Sequence, residues 1–188
     1  SFRLMSWFIQ QALAGNCFIG STATAGVVPP AIAGNTHTFA LWNPAGSGAY
    51  AVLNRFTLAP ATVTTTVLGA VGFGVTFNAG SQIGTGAPIV AFTDATIRNA
   101  ILGNSHVSKM RFAAASGAVT TVANPAWLYG PGIFSPDGDM ATSLSNVQIN
   151  TQFDGSVIVA PGTAIFVVGT AAVAQTYNMA LTWAEVAI

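Results

Sequence analysis

The chain has 188 residues, of which 5% are charged: five Lys or Arg against five Asp or Glu, for a net charge of zero. An ordinary globular chain carries about 25% charged residues, so most of the repulsion that keeps soluble monomers apart is missing here. The length is enough for one domain with a real core, and the composition leads to the expectation that partners cover much of the surface.

In chain order, the first segment is "RLMSWFIQQALAG" (Arg3–Gly15). Gly15 would stop a short helix, whereas Trp7, Phe8 and Ile9 would equally suit an extended arm reaching onto a neighbour. The expected organisation is therefore an arm or short helix over 1–15 and a single β-sandwich domain over 16–188. The chain opens on Ser1, with no signal-peptide pattern, which leaves room for a processed start. Cys17 is the only cysteine, so no internal disulfide framework exists. In "NCFIG" it reads as a small buried hydrophobe.

From there, Thr, Val, Ala and Gly dominate and the period is two. Strands are expected at 16–24, 35–43, 49–59, 63–77, 87–93, 106–114, 118–123, 146–152, 156–160, 163–170 and 177–186, separated by breakers such as "VVPP", "SGA" and "YGPG". In 63–77 the odd positions Val71, Phe73, Val75 and Phe77 share one face, and Gly72 and Gly74 share the other. Two such glycines predict a bulge or the close approach of another chain segment. Phe56 to Thr93 contains no charge, yet Thr, Gly, Asn and Pro interrupt it too often for a spanning helix. A transmembrane barrel would carry a more polar second face than this one. The segment 124–145 reads as a loop, with Trp127, Tyr129 and Phe134 as aromatic anchors that either plug it into the core or present a surface for sugars. Short strands with regular turn signals make the fold all-β, a jelly-roll-like two-sheet sandwich.

Between two apolar runs lies "NPAGSG", from Asn43 and Pro44 to Gly46 and Gly48. A phosphate-binding loop would need a following Lys and a helix. Neither is present, so the glycines are expected to supply positive φ in a hairpin turn. Pro161 and Gly162 are expected to turn a second hairpin, "VIVAPGTAIFVV", with Val157, Val159, Ile165 and Val167 on one covered face.

Chemistry is sparse. Asp137 and Asp139 in "SPDGDM" resemble part of a calcium loop but read better as a turn, and His37, His106 and Cys17 have no zinc spacing. No metal or cofactor is expected. Asp94 and Glu185 stand alone in sequence, and Ser105 and His106 would face opposite sides of a strand, so no catalytic pair is expected and the chain reads as a non-enzyme. The dispersed basic residues, with only Lys109 and Arg111 close together, make no phosphate track for nucleic acid.

Four stretches, "GNCFIGSTATAGV" (15–27), "LWNPAGSGAYAVLNRFTLA" (41–59), "DGSVIVAPGTAIFVVGTAA" (154–172) and "ALTWAEVAI" (180–188), cover about a third of the chain. In them the sequence resembles small β-rich virion proteins of tailed bacteriophages, of the capsid decoration or cement type. That resemblance implies a jelly-roll-like fold, a homo-oligomer (a trimer), contact with the major capsid protein and a place on the virion surface. It brings no catalytic residues, and neither nucleic acid nor membrane is an expected partner. The other reading of the same pattern is a glycan- or receptor-binding module of a tail or head fibre.

Overall fold

The computed structural model describes residues 6–61, 69–77, 89–134, 149–171 and 175–188. Among the described residues, one short helix, α1 (Trp7–Leu13), precedes twelve strands: β1 (Cys17–Ser21), β2 (Thr36–Asn43), β3 (Ala49–Pro60), β4 (Gly69–Phe77), β5 (Ile89–Phe92), β6 (Ile97–Asn99), β7 (Arg111–Thr121), β8 (Ala126–Phe134), β9 (Ile149–Gln152), β10 (Ile158–Val159), β11 (Thr163–Gly169) and β12 (Tyr177–Ala187). They form two antiparallel sheets packed as a sandwich. Sheet A runs β10-β3-β12-β1-β6, with β9 also on β3, and sheet B runs β5-β7-β2-β11-β4-β8.

Along the chain, β1, β3, β9–β10 and β12 fall in sheet A and β2, β4, β8 and β11 in sheet B. With β5–β7 set aside, and with β9 and β10 counted as one interrupted strand along β3, the chain crosses between the sheets at every step except from β4 to β8, which pair within sheet B. That is the winding of a jelly roll. The segment β5–β7 is inserted between the fourth and fifth strands of the winding. It extends both sheets on one side, β6 beside β1 and β7 beside β2.

This topology corrects both expected hairpins. The loop 44–48 leaves sheet B and enters sheet A, and Pro161–Gly162 leaves sheet A and enters sheet B. Each is an arch between sheets. Period-two alternation looks the same before a hairpin and before an arch, because both keep one face of each strand on the core. The face itself is legible: Val157, Val159, Ile165 and Val167 all meet the inter-sheet core.

Other boundaries also differ. The breaker "SGA" does not divide two strands. β7 runs through it as a bulge, with Gly117 at φ 65° and the pairing jumping from His37–Val119 to Phe39–Ala114. Residues 106–110 are irregular, β6 is a strand that three residues of pattern could not announce, and 126–134 is strand β8 rather than the expected loop. The breaker "YGPG" does not interrupt β8, because Pro131 lies on an edge strand, where a missing N–H is tolerated. The positions 63–68, 87–88, 135–148 and 172–174 lie outside the described residues, and Asp137 and Asp139 are among them.

The core is aromatic. Rings follow one another across the sandwich from Phe18 to Trp183, Phe112, Phe39, Phe56, Phe73 and Phe153, with centroid separations of 5.0–6.2 Å. Each such pair adds about 0.5–1.5 kcal/mol beyond burial alone. Gly20 is small because it must be: a Cβ there would sit 2.7 Å from the Phe112 ring. On β4, Gly74 lies under Pro125, and the register shifts on either side of Phe73. The two glycines thus mark both a bulge and a close neighbour. A second apolar layer covers the outside of sheet B, where Phe166, Val168 and Val119 pack with Ile32, Trp42 and Phe92.

Candidate interaction surfaces

One end of the sandwich gathers the segments singled out in the sequence. Strand register places the end of β2, the start of β3, the 160–163 arch, the start of β7 and the end of β12 together. Asn43 is the joint. Its side chain is fully buried, its Nδ2 donates to the carbonyls of Ala49 and Val159 (both 2.8 Å), and its backbone carbonyl accepts from Gly162 N–H (2.7 Å). Gly46 and Gly48 take φ of 79° and 67°, and Gly162 takes 84°. Pro44 begins the first arch, its carbonyl accepting from Ser47 N–H. Asn43, in sequence one turn residue among several, is the clamp that joins the two arches.

The loop 100–110 lies at the same end, and buried polar groups hold it there. Glu185 on β12 does not stand alone: its carboxylate accepts from the Ser108 hydroxyl, the Lys109 N–H and the Trp183 indole N–H. His106 contacts the Gly15 carbonyl through Nδ1 (2.9 Å), and Asn99 donates to that same carbonyl (2.6 Å). Nor is Asp94 alone, since it takes two hydrogen bonds from Arg111. The Arg111 guanidinium lies over both the Trp42 and the Phe92 ring, 5.0 and 4.8 Å from their centroids, and the two rings themselves meet at 5.4 Å. It is structural, and Asp94 pushes its pKa further up.

So fastened, the loop presents apolar side chains outward. Leu102 and Val107 are about four-fifths exposed (82% and 77%), and Ile101 and the C-terminal Ile188 are exposed as well. Next to it is α1. Residues 7–13 form a helix, capped by Ser6, whose hydroxyl accepts from Ile9 N–H. None of its residues is buried: Trp7, Ile9 and Leu13 are exposed, and Phe8 is half-buried in edge contact with Trp7. The helix rests on the outside of sheet A, where the Cys17 thiol donates to the Phe8 carbonyl. Burial raises the Cys17 pKa, and its thiol has neither His37 nor His106 as a hydrogen-bond partner.

The aromatic segment 124–134 behaves differently from a core plug. Trp127 is 41% exposed and its indole lies over Gly130, so it is on the surface of the edge strand β8. Tyr129 and Phe134 pair through their backbones with Phe73 and Gly69, and their side chains are outside the described set.

Among the described residues, no three His, Cys, Asp or Glu side chains come together as metal ligands, and no helix is long and apolar enough to cross a membrane. His37 is the one deeply buried imidazole among the described residues, packed 4.5 Å from the Phe166 ring with Nε2 on the Thr121 hydroxyl. Burial lowers its pKa to about 4. No protein-family model matches the chain, and no curated protein or solved structure matches it either.

Proposed function

We propose that this chain is a structural virion protein, a capsid decoration or cement subunit that stabilises a phage head through oligomeric, largely apolar contacts. The observation that carries the reading is the end of the sandwich around the 100–110 loop, where Leu102, Val107, Ile101 and Ile188 are exposed on a buried polar scaffold. A loop held this firmly spends little ordering entropy on binding, so its apolar side chains are suited to a permanent contact. Stable interfaces bury about 800 Å² per partner, and obligate ones are more apolar than ordinary surface. The sparse charge of the chain supports the same reading. So do the four virion-like stretches, which supply the four adjacent strands β10, β3, β12 and β1 of sheet A. A trimer bound to the major capsid protein is the proposed assembly.

The test is to add purified protein to heads of the phage that encodes it, prepared without it, and to image them. Density at regular capsid positions, with heads that resist heat better, is the expected result. Heads that take up no protein would refute the proposal. A second reading, a glycan- or receptor-binding module of a fibre, draws on the exposed Trp127 ring over Gly130, since a flat aromatic face can stack on a sugar. Loss of glycan binding in a folded Trp127→Ala variant would support it.

A further inference from the structure

The outer face of sheet A holds a groove of about 480 Å³, lined by polar side chains together with Ala59, Ala180 and the edges of Leu58, Ile149 and Met179. It runs across β9, β3, β12 and β1 and includes Arg55, Thr57, Asn150, Asn178, Ser21 and Thr22. Its size is that of a pocket for one small ligand. Arg55 is set in place: its Nε donates to Asn150 Oδ1 at 2.7 Å, and Asn150 faces Thr57 across the ladder. That bond leaves the two terminal nitrogens of the guanidinium for a ligand. Among the described residues, no carboxylate lies within ion-pair distance of Arg55, and Asp154, on the turn after β9, forms no pair with it. Ser21 and Thr57 contribute hydroxyls with no hydrogen-bond partner among the described residues.

Register adds a second cation. Gln152, Arg55, Thr182, Ile19 and Arg98 lie in one row across five strands, each paired with the next. Arg55 and Arg98 are three strand spacings apart, about 14 Å at roughly 4.8 Å per spacing. The face therefore carries two cations, Arg55 in the groove and Arg98 outside it, and the polar groups around Arg55 in the groove are hydroxyls and amides. An apolar partner would leave these groups unpaired, and a polyanion needs a denser row of cations. A carboxylate on a body of hydroxyl groups matches both features, because a guanidinium holds a carboxylate through paired N–H donors.

We propose that this groove binds a carboxylate-bearing saccharide, with Arg55 on the carboxylate and Thr57, Ser21 and Asn150 on the sugar hydroxyls. The site is separate from Trp127 on sheet B and does not depend on the assembly reading. The test uses saturation-transfer NMR and calorimetric titration of the full chain with sialyllactose, and with lactose as the neutral control. Sialyllactose is expected to bind saturably. Losing one charge-assisted contact in Arg55→Gln is expected to weaken it about tenfold or more, to the level of lactose. Thr57→Val is expected to weaken both sugars, and Trp127→Ala neither. The thermal melt of each variant reports whether it folds. No binding of sialyllactose, equal binding by wild type and Arg55→Gln, or loss of binding in Trp127→Ala would each overturn the proposal.

Discussion

Lowering the pH should destabilise this protein chiefly through one residue, His37. Its ring is fully buried, 4.5 Å from Phe166, with Nε2 on the Thr121 hydroxyl and Nδ1 without a partner. Burial holds its pKa at about 4, against 6.5 for an ordinary imidazole. Between those values the unfolded chain binds a proton that the folded chain refuses, so stability falls as the pH falls through that window. A difference of about 2.5 units at about 1.36 kcal/mol each gives a total loss of roughly 3 kcal/mol, with about 2 kcal/mol of it reached by pH 5. For a domain of ordinary stability that is a large fraction. Urea unfolding at pH 7 and pH 5 measures it, with His37→Leu as the control that keeps an apolar side chain against Phe166. Wild type should lose about 2 kcal/mol between the two conditions, and the variant should lose markedly less. If both lose the same amount, His37 is not the titrating group and the reasoning fails.

Asn43→Ala removes two hydrogen bonds and leaves the Ala49 and Val159 carbonyls without their shared donor, which should cost about 2–3 kcal/mol in denaturant unfolding. Gly20→Ala pushes a methyl group into the Phe112 ring, and a loss of about 1–3 kcal/mol in the same assay is expected. At the β9–β10 turn, Asp154 and Gly155 both take positive φ, 46° and 84°. Asp154→Val should therefore cost about 1–2 kcal/mol while Asp154→Gly stays near neutral in thermal melts. The Arg111–Asp94 pair is partly exposed, so a double-mutant cycle with Arg111→Met and Asp94→Asn should give a coupling of no more than about 1 kcal/mol.

The two-sheet, all-β character is legible in the sequence because alternation reports which side chains face a core. Alternation does not report which sheet a strand joins. That choice is made by pairings between distant segments, such as β3 with β12 and β2 with β11. The arches at 44–48 and 161–162 therefore look like hairpins in sequence, although their glycines and prolines mark the right places. β6 is too short to carry a pattern, and β8 is hidden by Gly130 and Pro131, which an edge strand accepts. The groups that organise the end of the sandwich are individually visible, but their meeting is not. Glu185 reaches Ser108 and Lys109 across more than seventy residues of chain, and Asn43 reaches Val159 across more than a hundred. The row from Arg55 to Arg98 exists only through the register of three strand pairs. The exposure of Leu102 and Val107 is equally out of reach, since an apolar residue in a loop reads the same whether it is covered or bare.

The apolar end around Leu102 and Val107 is the proposed assembly surface. Sedimentation equilibrium of the wild type beside a Leu102→Asp/Val107→Asp double variant tests it directly. Both positions are exposed, so the double variant should fold as the wild type does. An oligomer, a trimer, is expected for the wild type and a folded monomer for the variant. A wild type that sediments as a monomer at every concentration, or a variant that assembles as well as the wild type, would contradict it.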